Sequence, residues 1–233
     1  MQTLSYQERR SELEVYFDRT ALEAWRKLTS DAPVGRIRAT VRAGRKRMRN
    51  TLISWLPADL RGSRLLDAGC GTGALSVEAA RRGADVLAID LSPQQIAIAN
   101  QRAQAEHLPG SITFHAGDML DPAHGNFDFV VAMDSLIHYR APDAVAAVAG
   151  LAARTAEAIV FTFAPRTPAL AAMHALGRVF PRSDRAPAIE PVAEPALRER
   201  LDRQPGLADW HAARSERIAS GFYTSQAMDL RRK

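Results

Sequence analysis

A run of glycines behind an apolar segment is the part of this sequence whose residue types could do chemistry. Residues 65–73 read Leu-Leu-Asp-Ala-Gly-Cys-Gly-Thr-Gly, and a helical pattern follows from Ala74. Glycines let a backbone turn tightly and approach a ligand closely, and the first turn of the helix behind them has unpaired N–H groups. A strand, a glycine turn and a helix in this order predict a site for a nucleotide-like ligand.

The glycine spacing fits two ligand classes, and Asp67 separates them. Gly69, Gly71 and Ala74 also satisfy the fingerprint of a dinucleotide site, where a pyrophosphate lies at the helix N-terminus. A carboxylate at the strand tip repels a pyrophosphate but attracts the ammonium of an amino acid. S-adenosylmethionine has no phosphate and carries an ammonium and a sulfonium. We therefore predict S-adenosylmethionine as the ligand, since the turn resembles the first motif of the Rossmann-like methyltransferases.

Further acidic residues lie at the ends of the next three predicted strands. These strands span residues 84–90, 111–119 and 127–134. Asp90 can bind two ribose hydroxyls, and the resemblance to methyltransferases implies that Asp118 binds the adenine amino group. A single Asp after a strand is usually a turn residue, but four in order beside the glycine turn predict a cofactor site. The predicted cofactor-binding residues are Asp67, Gly69, Gly71, Gly73, Asp90, Leu91, Asp118, Met119, Met133 and Asp134.

Length and composition suit one α/β domain with additions. The chain has 233 residues, of which 46% are hydrophobic and 24% charged, as is ordinary for soluble proteins. Its one cysteine, Cys70, excludes an internal disulfide and fits a reducing compartment. Cys70 is interpreted as a filler residue rather than a nucleophile, because no activating partner is evident. Since the sequence has no signal peptide and no apolar run of about 18 residues, we expect a cytoplasmic protein without a membrane span.

Much of the net charge of +5 is concentrated in one segment. No acidic residue occurs between Asp31 and Asp59. Four arginines recur there at the spacing of one helix face, namely Arg38, Arg42, Arg45 and Arg49. With apolar residues on another face, the segment is predicted to be an amphipathic basic helix. A solvated face is the ordinary interpretation, and the functional alternatives are an anionic substrate, an anionic membrane surface or nucleic acid.

The chain divides into four predicted parts. They are an N-terminal helical arm (1–60), a Rossmann-like core that binds S-adenosylmethionine (61–164), a lid or substrate insertion after strand five (165–205) and a strand pair that completes the sheet (206–233). Seven prolines break the strand–helix alternation in the third part, which lies near the carboxyl ends of the strands, where ligands bind. The predicted fold is α/β, with a mostly parallel seven-stranded sheet and helices on both faces.

Several short segments outside the glycine turn point to one family. They are residues 15–17 (Val-Tyr-Phe), 25–27 (Trp-Arg-Lys), 41–45 (Val-Arg-Ala-Gly-Arg), 133–139 (Met-Asp-Ser-Leu-Ile-His-Tyr), 163–167 (Phe-Ala-Pro-Arg-Thr) and 179–182 (Val-Phe-Pro-Arg). Over nearly its whole length the chain resembles the magnesium protoporphyrin IX methyltransferases of bacteriochlorophyll and chlorophyll biosynthesis. One departure is Thr29-Ser30, where photosynthetic relatives have a Tyr-Gly pair. No role of that tyrosine is carried over.

The resemblance implies methyl transfer from S-adenosylmethionine to one propionate of Mg-protoporphyrin IX. The products are the monomethyl ester and S-adenosylhomocysteine. Magnesium enters only as part of the porphyrin, and no metal site of the protein is expected. A propionate with a pKa of about 4–5 is already ionised at neutral pH, so the enzyme needs orientation and desolvation rather than a strong base.

The chemistry of the implied reaction suggests residues for the acceptor side. His138 lies just past the fourth strand and is the predicted catalytic residue, as a group that hydrogen-bonds or pairs with the propionate. Arginine matches carboxylates bidentately, which suits the second propionate. The predicted substrate-binding residues are Arg38, Arg42, Arg45, Tyr139, Arg166 and Arg182.

The same residues leave several further functions open. The basic helix would suit an RNA methyltransferase, but residues 134–137 read Asp-Ser-Leu-Ile rather than the Pro-Pro-aromatic loop of base methylases, so we predict no nucleic-acid partner. Methylation of another small molecule such as a quinone, dehydrogenase activity, and a non-enzymatic role as a cofactor-binding partner of magnesium chelatase also fit. The partners considered are the porphyrin-binding subunit of the chelatase, in transient contact, and the photosynthetic membrane, in peripheral contact.

Overall fold

Seven strands form the framework of the protein. The computed structural model describes residues 3–20, 35–166 and 188–233. The strands are β1 Arg64–Ala68, β2 Asp85–Asp90, β3 Ser111–Ala116, β4 Phe127–Ala132, β5 Thr155–Phe163, β6 Trp210–Ser220 and β7 Tyr223–Arg232. They form one sheet in the order β3-β2-β1-β4-β5-β7-β6.

The sheet is parallel except at one edge. Strand β1 pairs in parallel with β2 and β4, β2 with β3, and β4 with β5. Strand β7 lies antiparallel between β5 and β6. From β1 the chain adds β2 and β3 on one side, and then returns to add β4 and β5 on the other side of β1. Ligands bind at the carboxyl ends of the strands where the order reverses in this way. The predicted seven-stranded, mostly parallel sheet is confirmed.

Helices cover both faces of the sheet. They are α1 Leu4–Val15, followed by a π-helical turn Tyr16–Thr20, α2 Arg36–Ser54, α3 Ala74–Arg81, α4 Pro93–Ala103, α5 Ala141–Ala152 and α6 Glu194–Asp202. Successive residues of a strand point to opposite faces, so the neighbours Leu65 and Leu66 enter different cores. Leu66 packs in one core with Val148 of α5, and Leu65 packs in the other with Leu52 of α2.

Local signals in the sequence marked most elements, although several strand ends differ from the predicted ones by one to three residues. Ser92 caps α4 by accepting a hydrogen bond from the Gln95 backbone N–H at 3.2 Å, as Ser before Pro predicts. The predicted basic helix is α2, and the predicted closing strand pair is β6 and β7. Strand β3 ends at Ala116 rather than at Met119, because the chain leaves the sheet at Gly117. Asp118 therefore lies in the loop after the strand.

The N-terminal arm is joined to the core by polar contacts at two places. Thr3 donates a hydrogen bond at 2.6 Å to Asp143, which lies in the first turn of α5. Asp18 accepts a hydrogen bond at 3.0 Å from the hydroxyl of Ser92, the residue that caps α4. Residues 21–34 lie outside the described part of the chain.

The segment after β5 contributes to the core. Helix α6 buries Leu197 and Leu201 in the same core as α5. Residues 167–187, which hold most of the predicted lid, lie outside the described part of the chain. The lid and the domain boundaries stay predictions.

Candidate active site

A large cavity opens at the carboxyl ends of β1, β2 and β4. Its volume is about 360 Å³, within the range of about 300–1,000 Å³ that is typical of small-molecule sites. The strand ends and the loops after them supply one wall, and side chains of α1 and α2 supply the other. The cavity therefore lies where the sheet topology predicts a ligand.

The glycine turn connects β1 to α3 and is fixed on the end of β2. The backbone N–H groups of Gly69 and Cys70 donate hydrogen bonds to the carbonyl oxygen of Ile89 at 2.8 and 2.9 Å. Gly69 has a φ of +88°, and a Cβ at this position would lie 2.4 Å from the Cβ of Ser135. A side chain here would both clash with the loop after β4 and strain the backbone.

Asp67 is a buried carboxyl at the end of β1. It is 1% exposed, and its Oδ2 accepts a hydrogen bond from the Ser76 hydroxyl of α3 at 2.6 Å. Burial raises the pKa of Asp67 to about 7, which the Ser76 hydrogen bond opposes and the negative charge of Asp90 reinforces. A cation bound beside Asp67 would favour its ionised form. This side chain therefore suits a positively charged ligand group.

Asp90 ends β2 with both carboxylate oxygens oriented by the backbone. Gly71 N–H donates to Oδ2 at 2.8 Å, and Ser92 N–H donates to Oδ1 at 3.0 Å. Each carboxylate oxygen has a further lone pair for a ligand hydroxyl. Burial raises the pKa of the Asp90 carboxyl, and these N–H groups oppose the rise.

Cys70 lines the cavity as a neutral thiol. Burial raises the pKa of the Cys70 thiol well above its ordinary value, and the charges of Asp67 and Asp90 add to this. A thiol with a raised pKa is a poor nucleophile. The structure thus agrees with the interpretation of Cys70 as a filler residue of the turn.

Asp118 connects the cavity to the N-terminal arm. Its Oδ1 accepts hydrogen bonds from the Tyr6 hydroxyl at 3.1 Å and from the Leu120 N–H at 2.9 Å. Its Oδ2 accepts a hydrogen bond from Arg10 Nη1 at 2.9 Å. Asp118 therefore holds α1 at the rim of the cavity, and its contact with adenine stays a prediction.

Asp134, just after β4, joins α2, β5 and β7. Arg45 Nη1 of α2 lies 2.5 Å from its Oδ2. The Tyr223 hydroxyl donates to both carboxylate oxygens at 3.1 and 3.2 Å, and the hydroxyls of Ser225 and Thr162 donate at 3.1 and 3.3 Å. Asp134 also has a φ of +55°, which is strained for a residue other than glycine. These contacts fix Arg45 at the cavity, while cofactor binding by Asp134 stays a prediction.

Gly44 allows α2 to approach β7 closely enough for this network. A Cβ at Gly44 would lie 2.4 Å from the ring of Tyr223. Because the ring passes directly over the helix backbone, the rotation of α2 about its axis is fixed. That rotation directs the neighbouring Arg45 towards Asp134.

His138 ends a short 3-10 turn after β4 and lines the cavity. It is 9% exposed, and its ring meets the ring of Phe17 edge-on at 5.7 Å. Its Nδ1 lies 3.4 Å from the carbonyl oxygen of Ala188. A carbonyl only accepts, so a hydrogen bond there places a proton on Nδ1. Only the doubly protonated ring could then donate from Nε2 to a carboxylate.

Tyr139 packs between the arm and the loop after β4. Its ring stacks on Tyr6, with 4.7 Å between centroids and 15° between planes. Burial raises the pKa of the Tyr139 hydroxyl, so the hydroxyl stays neutral. Tyr139 lines the cavity, and its contact with substrate stays a prediction.

Helix α2 presents cations to the cavity. Arg42, Arg45, Lys46 and Arg49 line it, and their spacing places them on one helix face. Arg49 belongs to the predicted arginine stripe, but no ligand was predicted for it, and Lys46 was not predicted at the site. Helical periodicity was the signal that could have added both residues.

The predicted cofactor residues mostly meet in this cavity. Those that line it are Asp67, Gly69, Gly71, Asp90, Leu91, Asp118, Met119, Met133 and Asp134. Gly73 does not line it and instead precedes α3 as its N-cap. Tyr6, Leu13 and Phe17 also line the cavity. No local pattern in the sequence indicates Tyr6 and Leu13, because only the folded chain brings the arm to the strand ends.

The predicted substrate residues fall into three groups. Arg42, Arg45 and Tyr139 line the cavity together with His138. Arg38 and Arg166 are exposed and do not line it. Arg182, like Thr29, lies outside the described part of the chain. The roles of all of them stay predictions.

The strand-end wall fits S-adenosylmethionine. Asp67, Asp90, Leu91 and Met119 line it, and their predicted partners are the ammonium for Asp67, the ribose for Asp90 and the adenine for Leu91 and Met119. A dinucleotide would bring its pyrophosphate against the buried Asp67, which is unfavourable. The donor set therefore favours the methyl donor over a redox dinucleotide.

Comparison with known proteins decides the family. The chain is 51% identical over 227 residues to the magnesium-protoporphyrin O-methyltransferase of Rhodobacter capsulatus, covering 97% of this chain and 98% of that protein. The chain belongs to the magnesium-protoporphyrin O-methyltransferase family. Residues 132–232 match the magnesium-protoporphyrin IX methyltransferase C-terminus, and residues 65–157 match a general methyltransferase domain.

Solved structures of another member of this family share the fold. The crystal structure of magnesium protoporphyrin IX methyltransferase from Synechocystis PCC 6803 with bound SAH has a TM-score of 0.84 at 29% identity, covering 96% of this chain and 100% of that chain. The structure of the same enzyme with bound SAM has a TM-score of 0.80 at 27% identity, covering 97% of each chain. The predicted Rossmann-like class I methyltransferase fold is confirmed.

Proposed function

We propose that the protein transfers the methyl group of S-adenosylmethionine to a propionate carboxylate of Mg-protoporphyrin IX. The products are Mg-protoporphyrin IX monomethyl ester and S-adenosylhomocysteine, in the biosynthesis of (bacterio)chlorophyll. The observation that carries this proposal is the charge of the cavity lining, which combines carboxylates at the strand ends with a row of cations on α2. A cationic donor and an anionic acceptor are thereby attracted to opposite walls. The family to which the chain belongs supports the same substrates.

The reaction needs alignment more than proton transfer. When bound, S-adenosylmethionine supplies an electrophilic methyl group on a sulfonium. In the net change a C–S bond breaks and a C–O bond forms, and no proton moves. The protein contributes by holding the carboxylate oxygen in line with the methyl group in a site shielded from water. Such orientation can supply about 7–11 kcal/mol.

His138 is the residue proposed to orient the acceptor carboxylate. It lies at the end of the loop that also carries Asp134, and it lines the cavity between the two walls. As an imidazolium it could donate from Nε2 to the propionate, while Nδ1 stays beside the Ala188 carbonyl at 3.4 Å. Arg42 and Arg45 line the same cavity and are proposed to bind propionate oxygens.

A turnover assay with one purified chain tests the proposed function. The chain is incubated with S-adenosylmethionine and either Mg-protoporphyrin IX or metal-free protoporphyrin IX, and the products are identified by mass spectrometry. We expect a mass gain of one methyl ester with the magnesium porphyrin. Absence of product, together with tight porphyrin binding, would instead support a non-enzymatic partner of the chelatase. Methylation of a quinone but not of the porphyrin would support the small-molecule alternative.

Peripheral membrane contact is a secondary part of this proposal. No helix in the described residues is long and apolar enough to cross a membrane. Ile37 is 57% exposed at the start of α2, and Phe222 is 60% exposed at the β6–β7 turn. The exposed Arg36 and Arg38 flank Ile37, a combination that suits an anionic lipid surface.

Vesicle sedimentation tests this contact. Vesicles with anionic lipid should sediment the wild-type chain more than neutral vesicles do, and Phe222→Ser should reduce the difference. Equal sedimentation of both proteins with both vesicles would remove membrane contact from the proposal.

Transient contact with the porphyrin-binding subunit of the chelatase is proposed separately, because the acceptor must arrive as a poorly soluble porphyrin. Its test is whether that subunit accelerates methylation at limiting porphyrin.

A further inference from the structure

We propose that Arg49 binds the carboxylate of the amino-acid group of S-adenosylmethionine. This inference rests on the proposed function, because it requires the methyl donor in the cavity. It joins two observations about α2. Arg49 is one of the cations that line the cavity, and its Nε has no hydrogen-bond partner within the described part of the chain.

The surroundings of Arg49 favour the arrival of an anion. Its Nε is shielded from solvent and has no hydrogen-bond partner among the described residues. Burial lowers the pKa of Arg49, Glu78 opposes this, and the positive charges of Arg45 and Arg81 lower it further. Glu78 is itself paired with Arg81 at 2.8 Å. A half-buried cation without a close counter-ion is less favourable than a paired one, and a bound carboxylate would supply the missing charge.

The shared cavity of Arg49 and Asp67 indicates which carboxylate this is. Asp67 accepts a hydrogen bond from Ser76 of α3 at 2.6 Å. Arg49 interacts electrostatically with Glu78, which lies on α3 together with Ser76. Both Arg49 and Asp67 line the same cavity. In an amino acid the ammonium and the carboxylate are bonded to one carbon, so a site that binds the ammonium at Asp67 needs a cation close to it. Arg49 is that cation.

Arg45 is assigned to the other end of the cavity. Its Nη1 is bonded at 2.5 Å to Asp134, in the loop that continues to His138. Arg49 follows Arg45 by about one helical turn. The basic face of α2 therefore divides into an acceptor end at Arg45 and a donor end at Arg49.

A ligand that lacks only the carboxylate provides the decisive experiment. Decarboxylated S-adenosylmethionine keeps the ammonium, the sulfonium and the adenosine. Calorimetry measures the Kd of both ligands, without porphyrin, for the wild type, Arg49→Met, Arg49→Lys and the control Arg47→Met. Arg47 is exposed and does not line the cavity. Thermal unfolding of each ligand-free protein verifies that it is folded.

The expected result is selective for the carboxylate. Arg49→Met should raise the Kd of S-adenosylmethionine by about 10- to 100-fold, the range for a charge-assisted hydrogen bond. The Kd of the decarboxylated ligand should stay within about twofold of the wild-type value. Arg49→Lys should recover part of the loss, and Arg47→Met should match the wild type. Equal weakening of both ligands, or unchanged donor binding with a raised KM for the porphyrin, would overturn the inference. A wild type that binds neither ligand would instead overturn the proposed function.

Discussion

The two walls of the cavity are built in different ways. On the acidic wall, Asp67 and Asp90 stand at strand ends, and short side chains there have few rotatable bonds. On the basic wall, Arg42, Arg45 and Arg49 reach the cavity through long side chains of one helix, which lose more conformational entropy when they are fixed. Backbone N–H groups orient Asp90, whereas Arg45 relies on a side-chain partner. The proposed donor contacts of Asp67 and Asp90 are thus preorganised by the sheet, whereas the proposed acceptor contacts of Arg42 and Arg45 depend on tertiary packing.

The largest effect is expected where the two walls meet. His138→Ala should lower kcat by about 100-fold, because loss of orientation at the reacting atoms costs this order of rate. The Kd of S-adenosylmethionine should stay within about twofold, since the strand-end wall is untouched. Steady-state kinetics and calorimetry measure the two quantities. Turnover at the wild-type rate would remove His138 from the reaction and leave alignment to the walls alone.

The acidic wall is tested by pH. Asp67 has a pKa of about 7 in the ligand-free fold, above the ordinary value of about 3.9. The group therefore stabilises the fold relative to the unfolded chain below about pH 4, and this stability is lost as the pH rises through 7. A bound ammonium favours the carboxylate, so the Kd of S-adenosylmethionine should fall by about tenfold between pH 6 and pH 7.5.

Asp67→Asn supplies the control for this titration. The amide cannot ionise, so the Kd should be weaker and nearly independent of pH, as calorimetry at each pH would measure. A pH dependence that survives the substitution would place the linked proton on another group.

At Arg42 and Arg45, the basic wall should respond in acceptor binding rather than in donor binding. Arg45→Ala should raise the KM for Mg-protoporphyrin by about tenfold, as expected for loss of a charge-assisted contact. The Kd of S-adenosylmethionine should change little, because the carboxylates Asp67 and Asp90 of the strand-end wall are untouched. Arg42→Ala is the parallel variant. Unchanged porphyrin affinity in both would mean that this face of α2 binds something else.

The smallest effect is expected outside the cavity. Arg38 belongs to the same arginine stripe, but it is exposed and does not line the cavity. Arg38→Ala should change the KM for Mg-protoporphyrin by less than about twofold, as surface substitutions usually do. An effect as large as that of Arg45→Ala would extend the basic wall towards the N-terminus of α2.

The donor side of the cavity could be predicted from the sequence in considerable detail. The strand, the glycine turn and the helix are local patterns, and Asp67 and Asp90 stand directly in them. The acceptor side was less accessible because its contacts join distant parts of the chain. Asp134 meets Tyr223 of β7, and Tyr6 of the arm meets Asp118. No local periodicity encodes such pairs.

The sequence by itself determined the fold class, the cofactor and the family, because the glycine turn and the acidic strand ends are fixed by short-range backbone geometry. Only the tertiary structure decided which of the cations of α2 line the cavity. Four arginines share one helical stripe, and their order along the chain does not distinguish them. The contact of Gly44 with Tyr223 fixes the rotation of α2, which brings Arg45 to Asp134 and leaves Arg38 in solvent.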